Sequence, residues 1–272
     1  MTRTEAVDQT NGSATRAVVV FTDLDGTLMD HDSYAVAPAK PALDALAARS
    51  IPVVPVTSKT RAEVVPLMAR LGLSGSAIAE NGAVIMHADG SIDAAVTRAK
   101  ITAALAALPK NVRDSMVCFC DMEVEQIAAA TGLDHDDAAR AAAREASEPF
   151  LWQGDATPPS TLVEMLGETL AKYGLCVTQG GRFFHIVPPR DKAAAISDLL
   201  SAHSPHPQSW VLGDGPNDVS MLLAANRGAL IANPHVDTAR LLPAGHNVYM
   251  SCAFGPAGWH EAITAFLTAE FG

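Results

Sequence analysis

The sequence predicts an α/β fold with a Rossmann-like parallel-sheet core. Short apolar runs rich in β-branched residues recur along the chain, among them Val18-Val19-Val20-Phe21 and Val53-Val54-Pro55-Val56. Each runs into a polar turn and then a helical pattern, the order of strand–helix–strand units in a parallel sheet. Two of the runs end in paired aspartates almost two hundred residues apart, and ligands of open parallel sheets bind at the carboxyl ends of the strands.

The first strand leads into Asp23-Leu24-Asp25-Gly26-Thr27. Gly26 permits a tight turn, and Thr27 sets a hydroxyl beside the two acids. A carboxylate nucleophile with a second carboxyl group two residues on, close to a hard cation, suits phosphoryl chemistry. A polar turn with two solvated aspartates is the plain alternative. An EF-hand fits poorly, since its glycine follows three acidic positions and a helix should come before it.

The second strand, over residues 51–56, runs into Thr57-Ser58-Lys59-Thr60 and a helix from about Arg61. Hydroxyls and free N–H groups at a helix start bind phosphate oxygens, although an ordinary cap would look the same. Pro55 conflicts mildly with a strand, because proline removes a ladder hydrogen bond. Further on, Lys192 stands at the head of an alanine-rich helical run, where an ammonium could neutralise phosphoryl oxygens and keep a carboxylate ionised. Ser209-Trp210-Val211-Leu212-Gly213 forms a late strand ending in Asp214-Gly215-Pro216-Asn217-Asp218. Mg²⁺ takes oxygen ligands in octahedral geometry, a need that Asp23, Asp214 and the backbone carbonyl of Asp25 would meet, with Asp218 nearby or acting through water.

The segment between the Thr/Ser element and Lys192 carries helical stretches near residues 93–108, 134–147 and 160–173, and strands near residues 176–178 and 183–187. Asp134-His135-Asp136-Asp137 reads as an N-cap with acids in the first helical turn rather than a metal site. Met116 to Cys120 reads as a strand with both cysteines on one face. Cys-x-Cys spacing is wrong for a zinc knuckle, so Cys118, Cys120, Cys176 and Cys252 are expected to be reduced core thiols.

The order of these elements resembles the haloacid-dehalogenase superfamily of phosphatases. The resemblance covers nearly the whole chain from about Val18, and the long middle segment looks like the α/β cap that family inserts. Val56-Thr57-Ser58-Lys59-Thr60-Arg61, Glu80-Asn81-Gly82, Arg144-Glu145 with Glu148-Pro149-Phe150, Gly180-Gly181-Arg182-Phe183-Phe184-His185 and Gly255-Pro256-Ala257-Gly258-Trp259 are similar to mannosyl-3-phosphoglycerate phosphatases. The resemblance implies a core over residues 17–86 and 188–272 and a specificity-bearing cap over residues 87–187, after a disordered tail at residues 1–16. It implies Mg²⁺ as cofactor, held by Asp23, Asp25, Asp214 and Asp218, and catalysis by Asp23, Asp25, Thr57, Ser58 and Lys192. Lys59, Asn81, Arg144, Glu148, Arg182, His185 and Asn217 become candidates for substrate binding, the two cap arginines for a carboxylate that a guanidinium can grip bidentately. The substrate expected is mannosyl-3-phosphoglycerate, with a glucosyl counterpart, another sugar phosphate or a phosphomutase as alternatives, and the product a compatible solute.

Composition is consistent with a cytoplasmic enzyme of 272 residues, long enough for two domains. A formal net charge of −11 argues against nucleic acid or an anionic membrane as partner, and the resemblance implies a small phosphorylated glycoside instead. No apolar run is long enough to span a bilayer, and residues 1–16 lack the apolar centre of a signal peptide.

Overall fold

The computed structural model describes residues 17–31, 33–154, 158–179, 183–237 and 240–272. The tail expected at residues 1–16 lies outside them, as does Arg182.

The apolar runs become strands because β-branched residues pack well on a pleated, buried surface. Five of them, β1 (Val18–Thr22), β2 (Val53–Pro55), β10 (Gln208–Gly213), β11 (Arg227–Ala232) and β12 (Tyr249–Phe254), form one sheet in the order β12-β11-β10-β1-β2. All four pairings are parallel. Side chains alternate across this sheet, and both faces are covered. Val18, Val20, Trp210 and Leu212 join one buried cluster with Ala262, Ile263 and Phe266 of the C-terminal helix. Phe21, Val54 and Val211 join another with Ala195 and Leu199 of helix Lys192–Ser201 and Met221 of helix Val219–Ala224.

Pro55 is tolerated for a local reason. Val56 donates its N–H to Thr22 on the β1 side, at 2.8 Å, while Thr57 donates to Ile78 on the other side, at 2.9 Å. Alternate residues therefore face opposite neighbours. The N–H that Pro55 lacks would point to the far side, just before that edge is paired at the Val56–Ile78 bridge.

β3 (Ala77–Ala79), β4 (Val84–Met86) and β5 (Ile92–Ala94) form a small antiparallel sheet at that edge. The start of the first expected middle helix is thus a strand, and the helix proper is Arg98–Ala106. β5 pairs with β4 across the expected 86/87 boundary. Residues 87–187 also contain a four-stranded antiparallel sheet of β6 (Met116–Cys118), β7 (Glu148–Trp152), β8 (Cys176–Gln179) and β9 (Phe184–Val187), ordered β6-β7-β9-β8. One face carries Phe150, Phe184 and Ile186 and packs on helices Arg98–Ala106 and Ser160–Ala171. Helices Val124–Thr131 and His135–Ala142 gather Phe119, Ile127, Ala138 and Phe183 into a separate cluster. Asp134 is the N-cap of the second, accepting from the N–H of Asp137 at 2.8 Å.

The cysteines depart from expectation. β6 stops at Cys118 because Asp121 folds back to accept from the Cys118 N–H, at 3.0 Å, and is held by Arg113 at 2.5 Å. The chain then turns, so Cys118 is buried and Cys120 is exposed, although the two sulfurs still lie within 4.8 Å of each other beside Glu148. Cys176 is half-buried, Cys252 is exposed, and all four are free thiols.

Candidate functional site

Asp23, Thr57 and Asp214 each follow a strand of the parallel sheet, so the sheet's register brings all three to one edge. Asp23 is fixed where β1 ends. Its N–H donates to Leu212 at 2.9 Å, and the preceding Thr22 accepts from the buried indole of Trp259 at 3.0 Å while donating to the Asp23 carbonyl at 2.7 Å. Gly26 has φ +80°, and a Cβ there would stand 2.6 Å from Asp214 Oδ2. Glycine is therefore required for the first acidic loop to approach the second.

Lys192 connects the loops. It is 1% exposed, and its Nζ donates to Asp23 Oδ1 at 2.5 Å and to Asp218 Oδ1 at 2.6 Å. The other oxygen of Asp218 accepts the N–H groups of Asp214 and Gly215, each at 3.0 Å. Both oxygens of Asp218 thus serve the loop and Lys192. Asp214 accepts from Thr27 Oγ1 and from Asn233 Nδ2, both at 2.5 Å.

Charge at this edge is unbalanced. Ligand oxygens of Asp23, Asp214 and Asp218 lie within 4.8 Å of one another, and one ammonium stands among them. Burial pushes the Asp23 carboxyl well above its usual range, Lys192 opposes this, and Asp218 and Asp214 add to it. Burial, reinforced by Asp218, also raises Asp214. For Lys192 burial works downward, but Asp218 and Asp23 outweigh it and keep the ammonium charged. Hard carboxylate oxygens carrying uncompensated negative charge fit a hard divalent cation such as Mg²⁺.

Asp25 is half-buried. One oxygen pairs with Lys59 Nζ at 3.0 Å, and the other, Oδ1, is buried with no hydrogen-bond partner among the described residues. Lys59 also stands 5.4 Å from the Tyr34 ring centroid, and Asp25 and Glu63 raise its pKa against the effect of burial. Thr57 is buried, and its Oγ1 accepts from the Lys59 N–H at 3.2 Å, which leaves the hydroxyl proton for another acceptor.

Beyond Lys59 lies a cavity of about 190 Å³, lined in part by Ser58, Lys59, Arg144, Pro149, Phe183 and His185. Arg144 donates to the Ser58 carbonyl at 2.8 Å. His185 is held neutral, its pKa pushed down to about 4 by burial and by Arg144. Asn217 Nδ2 donates to Asn81 Oδ1 at 3.3 Å.

Glu148 is placed elsewhere. Pro149 and His185 are paired across β7 and β9 and both line the cavity, so the neighbouring Glu148 points to the opposite face of the sheet. There it is fully buried, ion-paired with Arg98, and accepts the Cys120 N–H at 2.9 Å. It does not line the cavity.

Asn233, Thr22 and Trp259 belong to the site as well, beyond the residues expected from the motifs. Asn233 had a signal, since it follows the apolar run Ala229-Leu230-Ile231 at another strand end. The Trp259–Thr22 bond spans 237 positions and had none.

Residues 20–239 match the haloacid dehalogenase-like hydrolase family. The chain belongs to that family. It is a phosphoric monoester hydrolase, and it is 32% identical over 266 residues to a glucosyl-3-phosphoglycerate/mannosyl-3-phosphoglycerate phosphatase of Methanococcoides burtonii, covering 90% of this chain and 95% of that protein. Solved structures share its fold. A phosphatase of the haloalkanoate superfamily from Bacteroides thetaiotaomicron superposes with TM-score 0.64 at 19% identity, covering 97% of this chain and 99% of the other. The sucrose-phosphatase of Synechocystis sp. PCC6803 gives 0.57 at 16% identity, covering 94% and 98%.

Proposed function

We propose that this hydrolase removes phosphate from mannosyl-3-phosphoglycerate or its glucosyl counterpart, through an aspartyl-phosphate on Asp23. The observation that carries the chemistry is the pairing of two unlike aspartates at one strand end. Asp23 is gripped by Lys192, whereas Asp25 keeps a buried, unpartnered oxygen. The 32% identity to the Methanococcoides burtonii phosphatase supports the substrate class.

Asp23 attacks phosphorus in line, and the bond to the leaving oxygen breaks. Asp25 Oδ1 hands its proton to the departing alkoxide, then takes one from the water that cleaves the aspartyl-phosphate. Lys59 holds the other oxygen of Asp25 and so aims the free one. Lys192 offsets charge on the nucleophile and on the phosphoryl group, without which an anionic carboxylate would be repelled by an anionic phosphate. The Thr57 hydroxyl donates to a phosphoryl oxygen. Mg²⁺ would be held by Asp23, Asp214 and the backbone carbonyl of Asp25, and would neutralise phosphoryl charge. Asp218 holds Lys192 with one oxygen and the Asp214 and Gly215 N–H groups with the other, so it positions both the lysine and the second acidic loop.

The region beyond the cavity, residues 87–187, serves as the specificity cap. Arg144 reads the glycerate carboxylate, with Arg182 as a second candidate, and neutral His185 reads a sugar hydroxyl. Among the described residues no helix is long and apolar enough to cross a membrane. The acidic net charge argues against nucleic acid or an anionic membrane as partner.

The test is a panel of phosphorylated glycosides assayed for inorganic phosphate with Mg²⁺ and again with EDTA. Mannosyl- or glucosyl-3-phosphoglycerate should give the highest kcat/KM, and EDTA should abolish phosphate release. Phosphoryl transfer to a sugar without release of phosphate would make the protein a mutase.

A further inference from the structure

Glu80 is buried, 1% exposed, and no part of the chemistry above uses it. Its backbone is left-handed, with φ +51°, and Asn81 follows at +58° and Gly82 at +99°. Two consecutive non-glycine residues in that region are strained, and such strain persists only where the surroundings over-determine it. Here they do. The Glu80 N–H donates to the Lys59 carbonyl and the Asn81 N–H to the Thr57 carbonyl, each at 2.9 Å. A Cβ on Gly82 would stand 2.4 Å from the backbone oxygen of Asp191, so this turn presses directly against the residue before Lys192.

The carboxylate of Glu80 points the other way. It accepts the N–H of Glu145 at 2.8 Å, the N–H of Ala146 at 3.1 Å and the Ser147 hydroxyl at 2.5 Å. These three donors directly follow Arg144, which reaches back to the Ser58 carbonyl and lines the cavity. Arg61 pairs with Glu145 at 2.6 Å, and Thr60 donates to the Arg140 carbonyl at 2.8 Å, so the same stretch is docked at further points. A buried carboxylate is costly unless its oxygens are satisfied, and charge-assisted hydrogen bonds are the strong ones.

We propose that Glu80 is a positioning residue for substrate recognition: its carboxylate docks residues 145–147 onto the strand-end loops and thereby sets Arg144 over the cavity. The turn it stands on joins the Thr57 loop, the Lys192 helix start and the insert, so one strained element fixes the recognising arginine relative to the phosphate site. The part concerning substrate rests on the proposed function, and the docking does not.

The test combines amide exchange with kinetics on the full chain. In Glu80→Ala the amides of Glu145 and Ala146 should lose protection at least about tenfold, since a hydrogen bond to a charged group contributes on that scale. KM for the carboxylate-bearing glycoside should rise about tenfold with kcat changed less than about threefold. Turnover of p-nitrophenyl phosphate, which has no carboxylate, should hold within the same threefold range. Glu80→Gln retains an acceptor oxygen and should recover part of the loss. In an Arg144→Ala background Glu80→Ala should add little further to KM, because both act through one contact. If Glu80→Ala does not fold, Ser147→Ala removes one of the three bonds at the other end and should shift KM the same way by less. Unchanged protection in either variant, equal losses on both substrates, or full additivity with Arg144→Ala would overturn the inference. If no glycosyl phosphoglycerate is turned over, the proposed function fails, while protection and the Glu80–Arg144 coupling on the best ester still decide this one.

Discussion

Lys192→Met removes the ammonium that pairs with Asp23 and Asp218 while keeping side-chain length. Three buried carboxylates then stand within 4.8 Å of one another with no ion-pair partner among the described residues. Removing one partner of a buried ion pair costs about 3–5 kcal/mol, because the remaining charges are left uncompensated. Protonation of an acid relieves part of this, so about 3 kcal/mol is expected at pH 7.5, a fall in Tm on the order of 10 °C. The pH dependence follows from the raised carboxyls. Asp23 and Asp214 titrate above their unfolded value of 3.8 even with Lys192 present, and more so without it. A carboxyl raised in the folded state favours folding while protonated, and that stability is lost as pH rises through the folded value. The variant's deficit should therefore be largest at pH 7.5 and should shrink toward pH 5. Mg²⁺ should restore part of it by binding the folded state. Calorimetric melts of wild type and variant at both pH values, in EDTA and in Mg²⁺, measure this. A deficit below about 1 kcal/mol at pH 7.5, or one equal at pH 5, would refute the charge argument.

Asp23→Asn should leave the melt near wild type and lower phosphate release by several orders of magnitude, read by a phosphate assay on the folded protein. His185 carries a pKa near 4 against 6.5 unfolded, so wild type should lose about 3 kcal/mol as pH falls between those values. His185→Asn should flatten that part of the stability curve, as urea midpoints across pH 4–7 will show. Glu148→Ala takes the acceptor from the Cys120 N–H and the ion-pair partner from the part-exposed Arg98, and should cost about 2 kcal/mol of stability. Its KM should stay unchanged, which steady-state kinetics at a temperature where the variant is folded will check.

Where a signal was local, the sequence carried it. A β-branched run followed by Asp-x-Asp-Gly places two acids at a strand's carboxyl end whatever the rest of the chain does, and the same holds for Thr57 and Asp214. Lys192 was legible only by its order among the motifs, because a lysine at a helix start is most often solvated. The turn after Cys118 was not legible, since it depends on Asp121 being held by Arg113, a contact between side chains of a loop and a short helix.

The sequence by itself determined the parallel sheet, the chain order of the acidic loops, the residue types gathered at one edge, and the family. The strands and their loops depend on neighbours within a few residues, where propensity and alternation act, and the family on the order of those motifs along the chain. Only the tertiary structure decided how individual oxygens are used. Asp218 is spent on Lys192 and its own loop, Asp25 keeps one oxygen free, and Glu148 lies on the far face of its sheet because side chains alternate and Pro149 takes the cavity side. Asn233, Trp259 and the docking of Glu80 on residues 145–147 likewise belong to the fold. A hydrogen bond is met or left open by groups that converge from distant parts of the chain, and no local pattern records which groups those will be.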